Sequence, residues 1–222
     1  MTRPIDQARQ FVEAMPDDLR AQVAPVFSPL IDIVPNTSPA SMADDEAALF
    51  TSANGVRHAP PGAGRAAFCV GRATTTLAAS HGWAAHQMGE DADGLVRSLL
   101  ADPPAAALVH LRGQHTRGAI TDRLAHAGLQ VRSHVVYDQV LKHLSEAARK
   151  ALLREQIALV PLFSPRTATQ FAKEAPRATS MRVIALSAAV AEACEPLDVA
   201  AVADRPDATA MYEALGAALG AG

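Results

Sequence analysis

The sequence predicts an α/β protein of two lobes with parallel sheets, and two observations carry this prediction. Short apolar runs alternate along the chain with segments of helical periodicity, which is typical of parallel strands joined by helices. The order of strand end, polar turn and helix at 50–54 and 69–74 also returns in the second half of the chain, at 162–166 and 185–190. We therefore expect two similar halves with polar turns at matching strand ends.

The strands are predicted from short apolar runs that end at polar or turn-forming residues. In chain order they are 23–27, 47–51, 66–70, 83–86, 106–111, 131–140, 157–163, 182–186 and 199–202. The stretch 30–34 is expected to be a short extended connector, because Pro25, Pro29 and Pro35 punctuate this part of the chain.

The helices are predicted from apolar residues that recur on one face and from residues that favour helix ends. In chain order they are 8–15, 74–81, 95–100, 120–127, 147–154, 167–173, 189–194 and a final helix after Asp207. Gly82 suits the end of the second helix, and Asp91 suits the start of the third. Ser164 followed by Pro165 suits the start of the sixth.

Two extended stretches flank the middle of the chain and predict a discontinuous arrangement. They lie at 29–34 and 131–140, so the chain crosses twice between the halves. We expect residues 1–32 plus 139–222 to form lobe 1 and residues 36–136 to form lobe 2. Residues 33–35 and 137–138 are then a two-stranded linker, which predicts a hinge.

Composition excludes several classes of protein. A net charge of -3 does not favour a nucleic-acid surface, and no apolar run is long enough to span a bilayer. The first residues lack the apolar region of a signal peptide. Cys69 and Cys194 stand in apolar contexts without metal-ligand spacing, which favours a reduced protein. We therefore expect a cytoplasmic protein with neither nucleic acid nor membrane as a partner.

The motifs of common cofactor and metal sites are also missing from the sequence. The eight histidines are scattered and are interpreted as surface or turn residues. No Gly-rich loop follows a strand, and neither a phosphate-binding Gly-Lys-Ser/Thr loop nor a nucleophile elbow occurs. We expect no metal and no cofactor.

Small polar residues follow several predicted strands, where open parallel sheets bind their ligands. Helix N-termini at these turns present backbone N–H groups that suit carboxylate or phosphate. Ser52, Asn54, Thr74, Ser164 and Ser187 add side-chain hydrogen-bonding groups. For any one of them, an N-cap with no further role is the simpler explanation, but the paired repeat favours a ligand site for the set.

Three arginines and one tyrosine are further candidates. The arginines are Arg3, Arg112, which precedes Gly113, and Arg117. Each guanidinium could hold a carboxylate through two hydrogen bonds. The alternative is an arginine that is solvated or in an ion pair at the surface. Tyr137 lies in the extended run at the predicted linker. Its phenol either faces the space between the lobes as a donor or packs with its tip in water.

A series of short motifs occurs in a fixed order along the chain. They are Thr2-Arg3-Pro4, the linker led by Pro29, Phe50-Thr51-Ser52-Ala53-Asn54, Val70-Gly71 with Thr74, Arg112-Gly113, Gly128 with Val131 and Tyr137, Phe163-Ser164-Pro165 and Pro206-Asp207. In their order and spacing, the chain resembles the uroporphyrinogen-III synthase family over nearly its whole length.

The resemblance implies a fold, a reaction and an absence of cofactors. The fold is two flavodoxin-like lobes joined by a two-stranded linker. The reaction closes a linear tetrapyrrole, hydroxymethylbilane, to uroporphyrinogen III with inversion of ring D and loss of water. Departure of the hydroxyl gives an azafulvene, attack at the substituted carbon of ring D gives a spiro intermediate, and this intermediate rearranges. We expect a monomeric hydro-lyase.

The resemblance also implies roles for residues. Tyr137 is implied to assist departure of the hydroxyl. The implied substrate-binding residues are Arg3, Thr51, Ser52, Ala53, Asn54, Gly71, Thr74, Arg112, Gly113, Ser164, Pro165 and Ser187. Because the substrate carries eight carboxylates, rows of hydroxyls and helix N-termini are suitable holders.

The chain departs from the family pattern at three places. Only Met1 precedes the Thr2-Arg3-Pro4 motif, so the first strand of lobe 1 is expected to be truncated. Ser187 stands where the family often has Gly, and Val190 where it often has Thr. An alternative is therefore a weakly active or inactive two-lobe protein that binds an anionic small molecule. A nucleotide- or flavin-binding module is a third hypothesis, which the missing Gly-rich loops argue against.

Overall fold

The chain alternates helices and strands through the residues that the computed structural model describes. These residues are 1–38, 40–115, 119–154, 156–176 and 180–220. The elements in order are α1 (Ile5–Glu13), α2 (Asp17–Arg20), β1 (Ile31–Pro35), β2 (Ala47–Phe50), α3 (Ala53–Arg57), β3 (Ala66–Val70), α4 (Arg72–Ser80), β4 (Ala84–Gly89), α5 (Ala92–Ala101), β5 (Leu108–Gly113), α6 (Ile120–His126), β6 (Val131–Leu141), α7 (Glu146–Leu152), β7 (Ala158–Leu162), α8 (Pro165–Glu174), β8 (Met181–Ala185), α9 (Ala188–Glu192), β9 (Val199–Val202) and α10 (Ala208–Gly220).

Two units divide the chain. Unit 1 comprises Met1–Asp32 and Val140–Gly222, and unit 2 comprises Ile33–Gln139. Strands β1 and β6 each cross a boundary between the units. The assignment of 33–35 and 137–138 as a hinge stays a prediction.

Unit 2 is organised around β2, which is buried along its whole length. The six-stranded sheet has the order β1-β6-β5-β2-β3-β4, and β2 pairs in parallel with both β3 and β5. Alternate residues of β2 enter separate cores, with Ala48 and Phe50 in one and Ala47 and Leu49 in the other. This continuous burial explains why β2 is a short run without polar alternation.

The helices of unit 2 change faces between β4 and β5. Val56 of α3 and Ala78 of α4 pack in the core that contains Phe50, whereas Leu95 of α5 and Leu124 of α6 pack in the core that contains Leu49. The chain therefore winds outward from β2 in one direction and then in the other. The carboxyl ends of β2 and β5 consequently flank a topological switch point, where open α/β sheets bind ligands.

This winding confirms the predicted α/β class and parallel sheets but corrects the strand order. Counted from β2, the five parallel strands of unit 2 have the order 3-2-1-4-5, whereas a flavodoxin-like sheet has the order 2-1-3-4-5. The expected flavodoxin-like order is thus wrong for this unit. The reason is that β5, the fourth strand, and not β4, the third, pairs with β2 after the helices change faces.

Unit 1 contains a parallel three-stranded sheet in the order β7-β8-β9. Val183 of β8 packs with Phe171 of α8 on one face, and Ile184 packs with Met211 of α10 and Phe11 of α1 on the other. The expected helices at these positions are therefore confirmed, and each covers the sheet with its apolar face.

The strand predicted at 23–27 is wrong, because this stretch is irregular in the structure. Its backbone contacts run to the start of the chain: the Met1 amino group donates to the Val26 carbonyl at 2.6 Å, and the Ser28 N–H donates to the Met1 carbonyl at 2.9 Å. The Thr2 hydroxyl donates to the Pro161 carbonyl of β7 at 3.3 Å. Pro25 and Pro29 lack the N–H groups that a strand ladder requires.

None of the helices in the described parts of the chain is both long enough and apolar enough to cross a membrane.

Glu174, at the end of α8, forms hydrogen bonds with residues just before α7 and within it. One carboxylate oxygen contacts His143 Nδ1 at 2.6 Å, and the other accepts from the Leu144 N–H and from Arg149, each at 2.8 Å. Burial alone would raise the pKa of Glu174. The Leu144 N–H and the His143 and Arg149 side chains outweigh it and lower the pKa below its usual value.

We expect Glu174→Gln to lower the free energy of unfolding by about 1–2 kcal/mol. The reason is that the carboxylate accepts hydrogen bonds from several donors, whereas the amide is uncharged and has one oxygen to accept them. Urea denaturation followed by far-UV circular dichroism measures the change. Glu146→Gln is the matched control, since Glu146 pairs with Lys150 on the exposed surface of α7. Equal stabilities for the two variants would contradict this role of Glu174.

Candidate functional site

The candidate residues lie at the carboxyl edges of the two sheets, and each unit holds its own set. Unit 2 holds Thr51, Ser52, Ala53, Asn54, Gly71, Thr74, Arg112, Gly113 and Tyr137. Unit 1 holds Arg3, Ser164, Pro165 and Ser187.

Ser52 connects the turn after β2 to the side chain of Tyr137. It is the N-cap of α3, and its Oγ accepts from the Gly55 N–H at 3.2 Å. The same oxygen lies 3.2 Å from the Tyr137 hydroxyl. The Ser52 hydroxyl therefore caps α3 and also contacts Tyr137, whereas a role of Ser52 in ligand binding stays a prediction.

Tyr137 packs against the backbone at the end of β5. Its ring covers Gly113, where an added Cβ would lie only 2.6 Å from the ring carbon Cζ. The β5–β6 register shifts between Arg112 and Gly113 and pairs Gly113 with Tyr137. Tyr137 is 5% exposed, and the His58 ring lies 5.7 Å from it between centroids. The ring is thus fixed within unit 2, with its hydroxyl on Ser52.

His110 is a residue that the sequence interpretation placed wrongly at the surface. It lies in the middle of β5 and is 2% exposed. Its Nε2 is 3.3 Å from Thr51 Oγ1, and its Nδ1 is 3.3 Å from Thr121 Oγ1 of α6. Burial, together with the nearby charge of Arg112, lowers the pKa of His110 to about 4, so the ring is neutral at neutral pH. Its position inside an apolar run was the available signal in the sequence.

The turn after β3 depends on the conformation of Gly71. Its φ of 72° lies in the left-handed region that favours glycine, and its N–H donates to the Gly89 carbonyl at 2.8 Å. Thr75 donates from its hydroxyl to the Gly71 carbonyl at 2.9 Å. Thr74 is buried in the first turn of α4. The hydroxyl that turns back to the strand end is thus that of Thr75, which the sequence interpretation did not single out.

Arg112 and Asn54 have partners within unit 2. The Arg112 guanidinium donates to the carbonyls of Gly113 at 2.9 Å and Gln114 at 3.2 Å, and the Asn54 side chain accepts from Arg57 at 3.1 Å. The structure therefore gives Arg112 a local role in holding the end of β5. Arg117, the other arginine proposed near this edge, lies outside the described residues.

In unit 1, Ser164 and Ser187 follow the neighbouring strands β7 and β8. Ser164 caps α8 by accepting from the Thr167 N–H at 3.2 Å, and its hydroxyl lies 2.8 Å from the Thr167 hydroxyl. Pro165 occupies the first turn of α8, as expected. Ser187 is the N-cap residue of α9, but its side chain makes no capping bond to the described backbone. The Ser187 hydroxyl therefore does not cap α9.

Arg3 stacks on an aromatic ring at the same edge. The guanidinium carbon of Arg3 lies 4.5 Å above the centre of the Phe163 ring. A guanidinium N–H of Arg3 donates to Gln7 Oε1 at 3.2 Å. Burial lowers the pKa of Arg3, although Tyr212 partly opposes that effect. Val190, where the resemblance implies a threonine in other members, is 2% exposed and lies in the core of unit 1.

The described residues contain no group of three or more His, Cys, Asp or Glu side chains that could hold a metal ion.

Comparison with known proteins finds a family and solved structures that are similar to this chain. The family described as Uroporphyrinogen-III synthase HemD matches residues 15–213, and no curated protein matches the chain. The crystal structure of uroporphyrinogen-III synthetase from Helicobacter pylori is similar, with a TM-score of 0.67 and 18% identity, covering 90% of this chain and 97% of that one. A mutant uroporphyrinogen III synthase from Thermus thermophilus has a TM-score of 0.54 and 15% identity, covering 98% and 96%. At these identities, the two structures support the fold alone.

We expect Gly113→Ala to lower the free energy of unfolding by about 1–3 kcal/mol, because the new methyl group would overlap the Tyr137 ring. Urea denaturation measures the change. Gly216→Ala is the control, since a Cβ there meets open space on α10 and improves helix propensity. A Gly113→Ala variant as stable as the wild type would contradict the close packing.

We also expect His110 to make stability depend on pH. The unfolded histidine binds a proton below about pH 6.5 and the buried one only near pH 4, so stability is lost as the pH falls through this range. Between about pH 7.5 and pH 5, this contribution is about 2 kcal/mol. Denaturation of the wild type and of His110→Asn at both pH values measures it.

The wild type should lose more stability than His110→Asn over that interval. His81→Asn serves as the control for a histidine-to-asparagine change, because His81 is exposed, and this variant should lose more stability than His110→Asn over the same interval. Parallel pH profiles for the wild type and His110→Asn would contradict a neutral buried imidazole.

Proposed function

The chain belongs to the uroporphyrinogen-III synthase HemD family, and from that membership we propose that it cyclises hydroxymethylbilane to uroporphyrinogen III. Water is lost and ring D is inverted. The observation that carries the proposal is the contact between Ser52 and Tyr137 beside the switch point of unit 2. This contact supports the proposal because it fixes a phenol, a group able to act as an acid, beside the edge where an open α/β sheet binds its ligand.

Tyr137 has the role of proton donor to the departing hydroxyl in this proposal. Ser52 Oγ already accepts from the Gly55 N–H, which favours its own O–H as donor to the phenol oxygen. The Tyr137 proton is then available to the substrate hydroxyl, which leaves as water. Donation from Ser52 also stabilises the negative charge that develops on the phenol oxygen.

The azafulvene that results is then attacked by the substituted carbon of ring D. A carbon–carbon bond forms between the former hydroxymethyl carbon and the substituted carbon of ring D. In the spiro intermediate, the original bond from that carbon to its bridge then breaks, and the bridge carbon bonds to the unsubstituted α-carbon of ring D, which inverts the ring. Loss of a proton from carbon restores the aromatic pyrrole, and that proton balances the one that Tyr137 donated. Because the uncatalysed closure gives the uninverted isomer, the protein's main contribution is positioning.

The remaining site residues are proposed to hold the substrate carboxylates. In unit 2, these are the hydroxyls and amides of the turn 51–54 and the N-terminus of α4 at Gly71. In unit 1, they are Arg3, Ser187 and the N-terminus of α8 at Ser164. We further propose that the protein acts as a cytoplasmic monomer and needs no cofactor.

A second candidate is a protein that binds an anionic small molecule on the same scaffold with little or no activity. Two observations favour it. The Arg112 guanidinium is engaged by backbone carbonyls, and Val190 is enclosed in a core where other members are implied to carry a substrate-facing hydroxyl.

An assay that starts from porphobilinogen and its deaminase separates the two candidates. The wild type should raise the fraction of the type III isomer well above the spontaneous mixture. Tyr137→Phe should lower the rate of type III formation by about one to two orders of magnitude, because general acid catalysis is lost. Ser52→Ala should lower it about fivefold, as one hydrogen bond is lost.

Tyr212→Phe provides the matched control. Tyr212 is the other tyrosine of the chain, and its hydroxyl donates to the Phe11 carbonyl within unit 1 at 2.7 Å. Its removal should leave the isomer ratio unchanged. A wild type that fails to raise the type III fraction would exclude the synthase activity, and a Tyr137→Phe variant with an unchanged rate would exclude the role given to Tyr137.

A further inference from the structure

His110 links the turn after β2 to helix α6 through two hydroxyls. Thr51 Oγ1 and Thr121 Oγ1 lie on opposite sides of its ring, each 3.3 Å from a nitrogen. Thr51 is next to Ser52 in the chain, and Ser52 contacts Tyr137. The imidazole therefore acts directly on the turn that holds the proposed acid in place.

A neutral imidazole donates from one nitrogen and accepts at the other, so only two arrangements satisfy both contacts. In the first, Thr121 donates to Nδ1, and the Nε2 N–H donates to Thr51 Oγ1. In the second, Thr51 donates to Nε2, and the Nδ1 N–H donates to Thr121. The two arrangements differ in what the Thr51 hydroxyl can offer to a ligand.

A carboxylate accepts hydrogen bonds and donates none. Only in the first arrangement does Thr51 keep its own O–H for such a ligand. In the second, its proton is directed inward, and the turn presents an oxygen lone pair to a negative charge. A run of aligned donors, from Thr121 through His110 to Thr51, also strengthens the last bond in the series.

We infer that His110 is a positioning residue that holds the Thr51 hydroxyl with its proton directed toward a substrate carboxylate. The inference rests on the proposed function, because it assumes a ligand with carboxylates at this turn. The ring stays neutral throughout the pH range of ordinary assays, since burial keeps the pKa of His110 near 4. The arrangement therefore does not depend on protonation of the imidazole.

The ring tautomer is measured on the wild-type protein with ¹⁵N-labelled histidine. At about pH 7.5, the nitrogen chemical shifts of His110, assigned by their loss in His110→Gln, should show a proton on Nε2 and a bare Nδ1. A proton on Nδ1 would overturn the inference. This readout does not require the protein to be active.

Binding supplies the second readout, with uroporphyrin III, an oxidised form of the proposed product with eight carboxylates, as the probe. His110→Asn, too short to reach Thr51, should raise the Kd about three- to tenfold. His110→Gln places an amide N–H near the position of Nε2 and should restore the Kd to within about twofold of the wild type. Ile120→Val removes one methylene from the core on α6 and should lower stability but not affinity.

A double-mutant cycle tests whether His110 acts through Thr51. The variant carrying both Thr51→Val and His110→Asn should bind no more weakly than Thr51→Val alone, whereas fully additive losses would overturn the inference. So would a wild type that does not bind the probe. A wild type that binds with the expected coupling but does not raise the type III fraction would contradict the synthase activity alone.

Discussion

The close approach of Tyr137 to the backbone of Gly113 is the constraint on which the carboxyl edge of unit 2 depends. A side chain at position 113 would occupy the place of the Tyr137 ring. With only hydrogen there, the register shift at the end of β5 sets the tyrosine opposite the glycine. The Tyr137 hydroxyl then reaches Ser52, the residue that starts α3. The absence of a side chain at Gly113 therefore lets β5, β6 and the start of α3 meet at this edge.

The two units use the same residue types for different purposes. In unit 2, the Ser52 hydroxyl caps α3 and also contacts Tyr137, a side chain of β6. In unit 1, the Ser164 hydroxyl is engaged by Thr167 within its own helix. Arg3 is held by the ring of Phe163. The Ser52 hydroxyl thus reaches a different element, whereas the Ser164 contacts lie within the helix that it caps.

The sequence was informative where structure depends on neighbours in the chain. Ser52, Asp91 and Ser164 cap the helices that follow them, because capping is a local interaction. The strand order was not accessible in this way, since it depends on which face each helix covers. The prediction for His110 was wrong because its partners are set by the tertiary fold: Thr51 is 59 residues away in the chain, and Thr121 lies on the next helix. A polar group is tolerated in a core once its partners are present.

The same dependence on partners decides what the site can do. The turn after β2 carries two adjacent hydroxyls, and a contact with a different neighbour favours one direction for each proton. The Gly55 N–H on Ser52 favours donation toward Tyr137, and the imidazole on Thr51 governs whether that hydroxyl can meet an anion. In the proposed function, acid catalysis and carboxylate binding are therefore coupled through one turn. A substitution that shifts the turn after β2 would alter acid catalysis and carboxylate binding together, whereas a substitution of His110 alone would alter only carboxylate binding.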